Sequence, residues 1–144
     1  MKKHGFTLIE LLVVIAIITI LAGMIVGGAQ QARKRGSMTK ARAQLATIET
    51  AISMYEVDMG DYPATGNKNL VSALIEEPDD SDWSGPYMKI REKELNEEEE
   101  YLDAWGNPFI YVNPGLHNEY SYDLYSLGPD GKGDGTGKDD ITNW

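Results

Sequence analysis

The chain has 144 residues, no cysteine and a formal net charge of −10 at pH 7. This is the length of one ordinary domain, and the lack of cysteine excludes disulfides and thiol chemistry. Only His4 and His117 could serve as an imidazole base, so the sequence offers no convincing nucleophile–base pair. We therefore do not expect an enzyme.

Charge is divided unevenly along the chain. Through Arg42 the sequence has seven basic residues and one acidic residue, whereas the remainder has six basic and 22 acidic residues. The pattern predicts a basic stem and an acidic head. An acidic head argues against nucleic-acid binding, because Lys and Arg are needed to displace counterions from phosphates. It suits cations, or the basic stem of a neighbouring molecule.

The N-terminal segment is an apolar run behind a short basic leader, residues 1–5. The run covers residues 6–29 and contains a single charge, Glu10. As a helix it would measure about 36 Å, enough to cross a hydrocarbon core of about 30 Å. We therefore predict a membrane-spanning helix over 6–29. Basic residues stand on both sides of it, so the positive-inside rule leaves its orientation open.

An amphipathic continuation of this helix is predicted over residues 30–59. Apolar residues recur there at steps of three and four, the period of one helix face, at Ala41, Leu45, Ile48, Ile52, Tyr55 and Met59. Gly60 and the following Asp61-Tyr62-Pro63 predict the end of the helix.

Residues 60–144 read as a small head of short elements. We expect a helical turn or two within 70–75, a strand at 109–112 between turn signals, and its antiparallel partner within 120–127. Acidic runs at 79–82 and 97–100 predict solvated surface. The three tryptophans, Trp83, Trp105 and Trp144, are expected to pack in the core or against the stem. The fold class is therefore α+β.

Several motifs together carry a family resemblance. They are GFTLIE at 5–10, GDYP at 60–63, WSGPYMK at 83–89, DAWGNPFIYVNPG at 103–115, YSLGPDG at 125–131 and DDITNW at 139–144. The first resembles the class III signal of the type IV pilin superfamily, and the others are similar to the G-type major pseudopilins of type II secretion systems. The acidic stretch 92–100 is longer than in that pattern, and Ala104 replaces a common proline. The resemblance implies a pilin-like fold, in which the long helix packs on a small antiparallel sheet with a C-terminal metal-binding loop.

The resemblance also implies roles for three N-terminal residues. A prepilin peptidase would cut between Gly5 and Phe6 and methylate the new amino group of Phe6. Glu10 would then recruit and register the next subunit. The chemistry agrees, because an ionised side chain at the bilayer centre costs about 2.5–3.5 kcal/mol and usually marks function. The alternative is that Glu10 lies near the helix end and reaches the headgroups.

A glycine-rich, aspartate-rich loop precedes the C-terminus, within residues 127–140. Its clustered carboxylates would repel one another without a cation, and hard oxygen ligands with flexible glycines suit Ca²⁺. By resemblance, the ligands would be the Leu127 carbonyl and the side chains of Asp130, Asp139 and Asp140, with Asp134 a weaker candidate. The ion would replace a disulfide as a staple. The alternative is a solvated loop without a metal.

The function that the resemblance implies is structural. The precursor would cross the bacterial inner membrane once, with its N-terminus in the cytoplasm, and copies would assemble into a periplasmic helical filament that drives protein export through a type II secretion system. Implied partners are other copies, minor pseudopilins, the prepilin peptidase, an inner-membrane platform protein and an assembly ATPase. Two alternatives stay open: a type IV pilin for motility, adhesion or DNA uptake, and a membrane-anchored Ca²⁺-dependent binding module that does not polymerise.

Overall fold

The computed structural model describes residues 5–78 and 82–144, apart from the side chains of residues 25–28. Two α-helices are followed by three short strands, and single-turn 3₁₀-helices lie at Glu92–Glu94 and Gly128–Asp130; the main elements are α1 (Leu8–Met59), α2 (Asn67–Ile75), β1 (Ile110–Val112), β2 (Asp123–Ser126) and β3 (Ile141–Thr142). This confirms the α+β class and the long N-terminal helix. The chain divides into two compact units, Met1–Gly36 and Ser37–Trp144.

The first unit contains the apolar part of α1. The large apolar side chains from Phe6 to Met24 are between 43% and 83% exposed, and those within α1 lie on every side of the helix. An 18-residue window of α1 has a mean hydropathy of 2.9, and none of that window is buried. Length and composition therefore meet the requirements for a membrane span.

The second unit contains the hydrophobic core, and α1 supplies one wall of it. The predicted stripe is confirmed, since Ala41, Leu45, Ile48 and Ile52 are all at most 5% exposed. Their spacing of three and four residues places them on one face of the helix. They form one cluster with apolar residues of α2 and the sheet, which include Leu70, Leu74, Phe109, Tyr111 and Leu124.

The sheet has the order β1-β2-β3, with both neighbouring pairs antiparallel. Tyr111 faces Leu124 in the first pair, and Ser126 faces Ile141 in the second. The predicted hairpin of β1 and β2 is thus confirmed. The sequence did not predict β3, because two residues are too few to show an alternating pattern. This strand attaches the end of the chain to the sheet directly after the aspartate-rich loop.

The tryptophans and the acidic runs give a mixed outcome. Trp83 and Trp105 are half-buried against the head, and the Trp83 indole N–H donates to the Ala73 carbonyl at 3.0 Å. The core prediction is wrong for Trp144, which is 40% exposed because it follows the last strand, and which stacks on the His117 ring at 4.1 Å. Of the two acidic runs, residues 79–81 lie outside the described part of the chain. The run at 97–100 is on the surface, as predicted.

Candidate functional site

The first site is the start of α1, where Thr7 and Glu10 form a capping box. The Thr7 backbone N–H donates to Glu10 Oε2 at 2.8 Å, and the Glu10 backbone N–H donates to Thr7 Oγ1 at 3.3 Å. This reciprocal pair satisfies two backbone donors that a helix start otherwise leaves open. The Thr7 hydroxyl adds a third bond to Oε2 at 2.7 Å. The apolar run around Glu10 marked it only as an isolated charge, although Thr three residues before Glu is the sequence signature of a capping box.

The residues around the predicted cleavage point are accessible. Phe6 is 83% exposed, and a side chain built on Gly5 would meet no atom within 4 Å. The fold of this chain therefore does not itself require glycine at position 5. The rest of the predicted leader, residues 1–4, lies outside the described residues. The capping box occupies only Oε2 of Glu10, so its Oε1 atom takes no part in it.

The second site is the loop over residues 127–140, which is built from local turns. Asp130 Oδ1 accepts the Lys132 N–H at 3.0 Å, and Asp140 Oδ2 accepts the Gly137 N–H at 2.7 Å. Asp134 accepts the hydroxyl and the N–H of Thr136. These two hydrogen bonds hold the pKa of Asp134 below its ordinary value. They also commit its Oδ1 atom within the loop.

The two ends of this loop meet at Gly128. This residue has φ +65°, and a Cβ atom there would lie 2.4 Å from the Asp139 carbonyl oxygen. Glycine is thus needed both for the left-handed conformation and for the close approach. As a result, Asp139 at the far end of the loop lies against Gly128, the residue that follows Leu127.

The complete predicted ligand set is not gathered. Within residues 5–78 and 82–144, no three Asp, Glu or His side chains converge closely enough to hold a metal ion. One observation nevertheless fits a cation, because Asp140 Oδ1 is buried and has no hydrogen-bond partner. A buried carboxylate oxygen without a partner is costly. The donors in the loop are all oxygens, which suits Ca²⁺ better than a transition metal.

A buried polar cluster underlies the loop. Asp103 is 4% exposed, and its Oδ1 atom accepts the N–H groups of Trp105 and Asn107, each at 2.9 Å. Its Oδ2 atom accepts the Ser126 hydroxyl at 2.5 Å. The Asn107 side chain donates to the Gly128 carbonyl at 2.8 Å. The residues at 106–108 predicted only a turn. A further signal in the sequence is Asp103 itself, because turn positions follow it at two and four residues and an Asp can cap their N–H groups.

A second buried carboxylate organises the β1–β2 connection. Asp123 is 2% exposed and accepts the backbone N–H groups of Leu116, His117 and Asn118 at 2.7 to 2.9 Å. Burial alone would raise the pKa of Asp123, but the hydrogen bonds from these N–H groups outweigh it and hold the pKa below its ordinary value. Nothing in the sequence pattern distinguished Asp123 from a surface residue.

Comparison with known proteins gives consistent matches. The family model described as "Type II secretion system (T2SS), protein G" matches residues 29–144, and that of the prokaryotic N-terminal methylation motif matches residues 1–26. The type II secretion system core protein G of Escherichia coli (strain K12) is 41% identical, over 99% of this chain and 92% of that protein. The protein of the same name from Pseudomonas aeruginosa is 36% identical, over 99% of this chain and 96% of that protein. The crystal structure of the major pseudopilin from the type 2 secretion system of enterohaemorrhagic Escherichia coli is also similar, with 27% identity, a TM-score of 0.48, and coverage of 83% of this chain and 92% of that chain.

Proposed function

The chain belongs to the type II secretion system protein G family, and from this premise we propose that it is the major structural subunit of a helical filament that drives protein export. It is a structural component and not an enzyme. The observation that carries the proposal is the contrast within α1. Its first part is apolar and exposed on every side, whereas its second part is built into the core of the head.

The exposed part of α1 needs an apolar environment outside its own chain. Burial of each large apolar side chain is worth about 1.5–3 kcal/mol, so water is a poor surrounding for this segment. Lipid and a bundle of identical helices can both supply that environment. A subunit that moves from membrane to filament therefore keeps its apolar surface dry throughout, and the transfer does not oppose the whole hydrophobic effect.

Processing is proposed at the bond between Gly5 and Phe6. The match to the N-terminal methylation motif spans both residues, and it supports cleavage by a prepilin peptidase followed by methylation of the Phe6 amino group. The open space around Gly5 means that any demand for glycine comes from the peptidase rather than from this fold.

Glu10 is proposed to bind the Phe6 amino group of a neighbouring subunit. The capping box supports this role in two ways. It fixes the carboxylate at the start of α1, and it leaves Oε1 outside the bonds with Thr7. A positively charged amine would offset the cost of an ionised carboxylate at membrane depth. The contact would also set the register between adjacent helices.

We further propose that the loop binds Ca²⁺ through the Leu127 carbonyl and the side chains of Asp130, Asp139 and Asp140. The buried, unpartnered Oδ1 atom of Asp140 supports this proposal. A bound ion would supply the positive charge that lets these oxygens lie close together. The loop joins β2 to β3, so a bound ion would fasten the last strand to the head of a protein whose sequence has no cysteine.

The proposed setting is a membrane-anchored precursor that becomes part of a periplasmic filament. Minor pseudopilins, an inner-membrane platform protein and an assembly ATPase are its proposed partners. The match to protein G favours this function over a motility pilin and over a binding module that does not polymerise.

Deletion of the gene in its host, followed by assays of export and surface motility, tests the proposal. We expect secreted proteins to accumulate in the periplasm while twitching is unaffected, and we expect the intact gene to restore export. Normal export combined with lost twitching would instead support the motility alternative.

A further inference from the structure

We propose that Ser126, Asp103 and Asn107 are positioning residues for the calcium site, because they fix the direction of the Leu127 carbonyl and of the peptide that follows it. This inference rests on the calcium proposal above. None of the three side chains is itself a proposed ligand.

The Ser126 hydroxyl group has a single hydrogen to donate. An ionised carboxylate can only accept, so the 2.5 Å contact between Ser126 Oγ and Asp103 Oδ2 uses that hydrogen. The Ser126 oxygen is therefore left to accept the Gly128 N–H, which it meets at 3.1 Å. Ser126 is 0% exposed and Asp103 is 4% exposed, so water does not compete for these bonds.

The direction of the Leu127 carbonyl follows from the geometry of the peptide bond. The bond between Leu127 and Gly128 is trans, and in a planar trans peptide the N–H and the C=O point in opposite directions. The Gly128 N–H points at Ser126. The Leu127 carbonyl, a proposed ligand, is therefore held pointing away from Ser126.

Asn107 holds the peptide group that follows Gly128. The Asn107 amide donates to the Gly128 carbonyl at 2.8 Å. A Cβ atom on Gly131 would lie 2.9 Å from Asn107 Oδ1, so the next turn of the loop also packs against this side chain. Both peptides of Gly128 are thus fixed by side chains outside the loop, and Asp139 approaches the same glycine from the far end of the loop.

Residues that only stabilise the head and residues that position a ligand differ in how their loss affects Ca²⁺ affinity. If the three residues only stabilise the head, their loss should lower the melting temperature without changing Ca²⁺ affinity. If they position the Leu127 carbonyl, their loss should lower Ca²⁺ affinity by more than an equally destabilising substitution elsewhere in the core does.

The test uses the full-length protein in detergent micelles and compares three variants. Ca²⁺ is titrated by calorimetry, and the melting temperature is measured in EDTA. Ser126→Ala should weaken Ca²⁺ binding about tenfold, since it leaves the Gly128 N–H without its buried acceptor. Asn107→Ala should weaken binding in the same direction. Gln44→Ala is the control: its buried side chain donates to the Tyr101 hydroxyl and the Leu102 carbonyl, so we expect a lower melting temperature with unchanged affinity.

The other outcomes contradict either the calcium proposal or only the positioning role of these residues. If the unaltered protein binds no Ca²⁺, the calcium proposal fails and this inference fails with it. If the unaltered protein binds Ca²⁺ and neither variant changes the affinity, only the inference fails. An equal loss of affinity in Gln44→Ala would likewise reduce the effect to general destabilisation. If Ser126→Ala does not fold, Asn107→Ala decides the question, because that side chain is only half-buried.

Discussion

The two parts of α1 obey the same helical geometry but obtain their stability from different sources. From Phe6 to Met24 the apolar residues surround the helix, and the protein itself leaves them exposed. From Ala41 to Ile52 they occupy one face, and the head covers them. The difference shows that the arrangement of apolar residues, rather than their number, decides whether a helix folds with its own chain or depends on its surroundings.

Truncation of a core residue should affect the head far more than the same truncation in the exposed part of α1. Ile48 is 1% exposed, so Ile48→Ala should destabilise the head by about 2–5 kcal/mol through lost burial and a cavity. Ile17 is 51% exposed, and Ile17→Ala should leave the melting temperature of the head unchanged. Thermal unfolding of both full-length variants in detergent measures the difference. Similar losses in the two variants would remove the contrast.

Loss of the Glu10 charge should abolish most filament assembly while cleavage continues. Glu10→Ala removes both the charge and the capping box. Glu10→Gln removes the charge but keeps a side-chain oxygen that can accept the Thr7 N–H and complete the box. If the charge matters, both variants should assemble poorly. Filament yield in a pulldown and the size of the processed chain are the measurements. Normal assembly of the Gln variant would assign the function of Glu10 to the helix cap instead.

Removal of Ca²⁺ should lower the melting temperature of the head. At free Ca²⁺ of 100 times the dissociation constant, binding to the native state alone stabilises by about 2.7 kcal/mol. Asp140→Asn should remove most of the difference between EDTA and excess Ca²⁺. Asp134→Asn is the matched control and should retain it, because Asp134 is engaged by Thr136. Identical melting curves with and without Ca²⁺ would contradict the calcium proposal.

Acid should weaken the head through Asp123. Its pKa is lower in the folded state than in the unfolded chain, where the pKa of an aspartate is about 3.9. The stabilisation is therefore fully present above that value and is lost as the pH falls through the folded pKa. Melting temperatures between pH 2 and 6 should show a steeper acid loss for the unaltered protein than for Asp123→Asn. Parallel curves would show that Asp123 does not contribute to this loss.

The sequence predicts those elements that have a long apolar pattern or clear turn signals on both sides. The stripe from Ala41 to Ile52 spans several turns, and turn signals flank the strand at 110–112, so both were found. The exposed position of Trp144 and the two-residue β3 were not predicted, because packing at the chain end depends on which strands meet. Tertiary contacts decide such short elements.

The candidate sites divide in the same way. Gly5, Phe6 and Glu10 stand in one contiguous motif, so the sequence alone could single them out. Asp103 precedes a turn whose N–H groups an aspartate can cap, which is a signal that the sequence contains. The backbone N–H groups that Asp123 accepts lie in the loop before it and have no sequence signature. The close approach of Asp139 to Gly128 depends on the left-handed turn at that glycine, which only the folded chain displays.

Mass spectrometry of the native protein, isolated with its assembly state preserved, can show both where the mature chain begins and whether it is assembled. We expect a chain that begins at a methylated Phe6 and is recovered in filaments. A chain that still begins at Met1 and is recovered as single molecules would contradict the account.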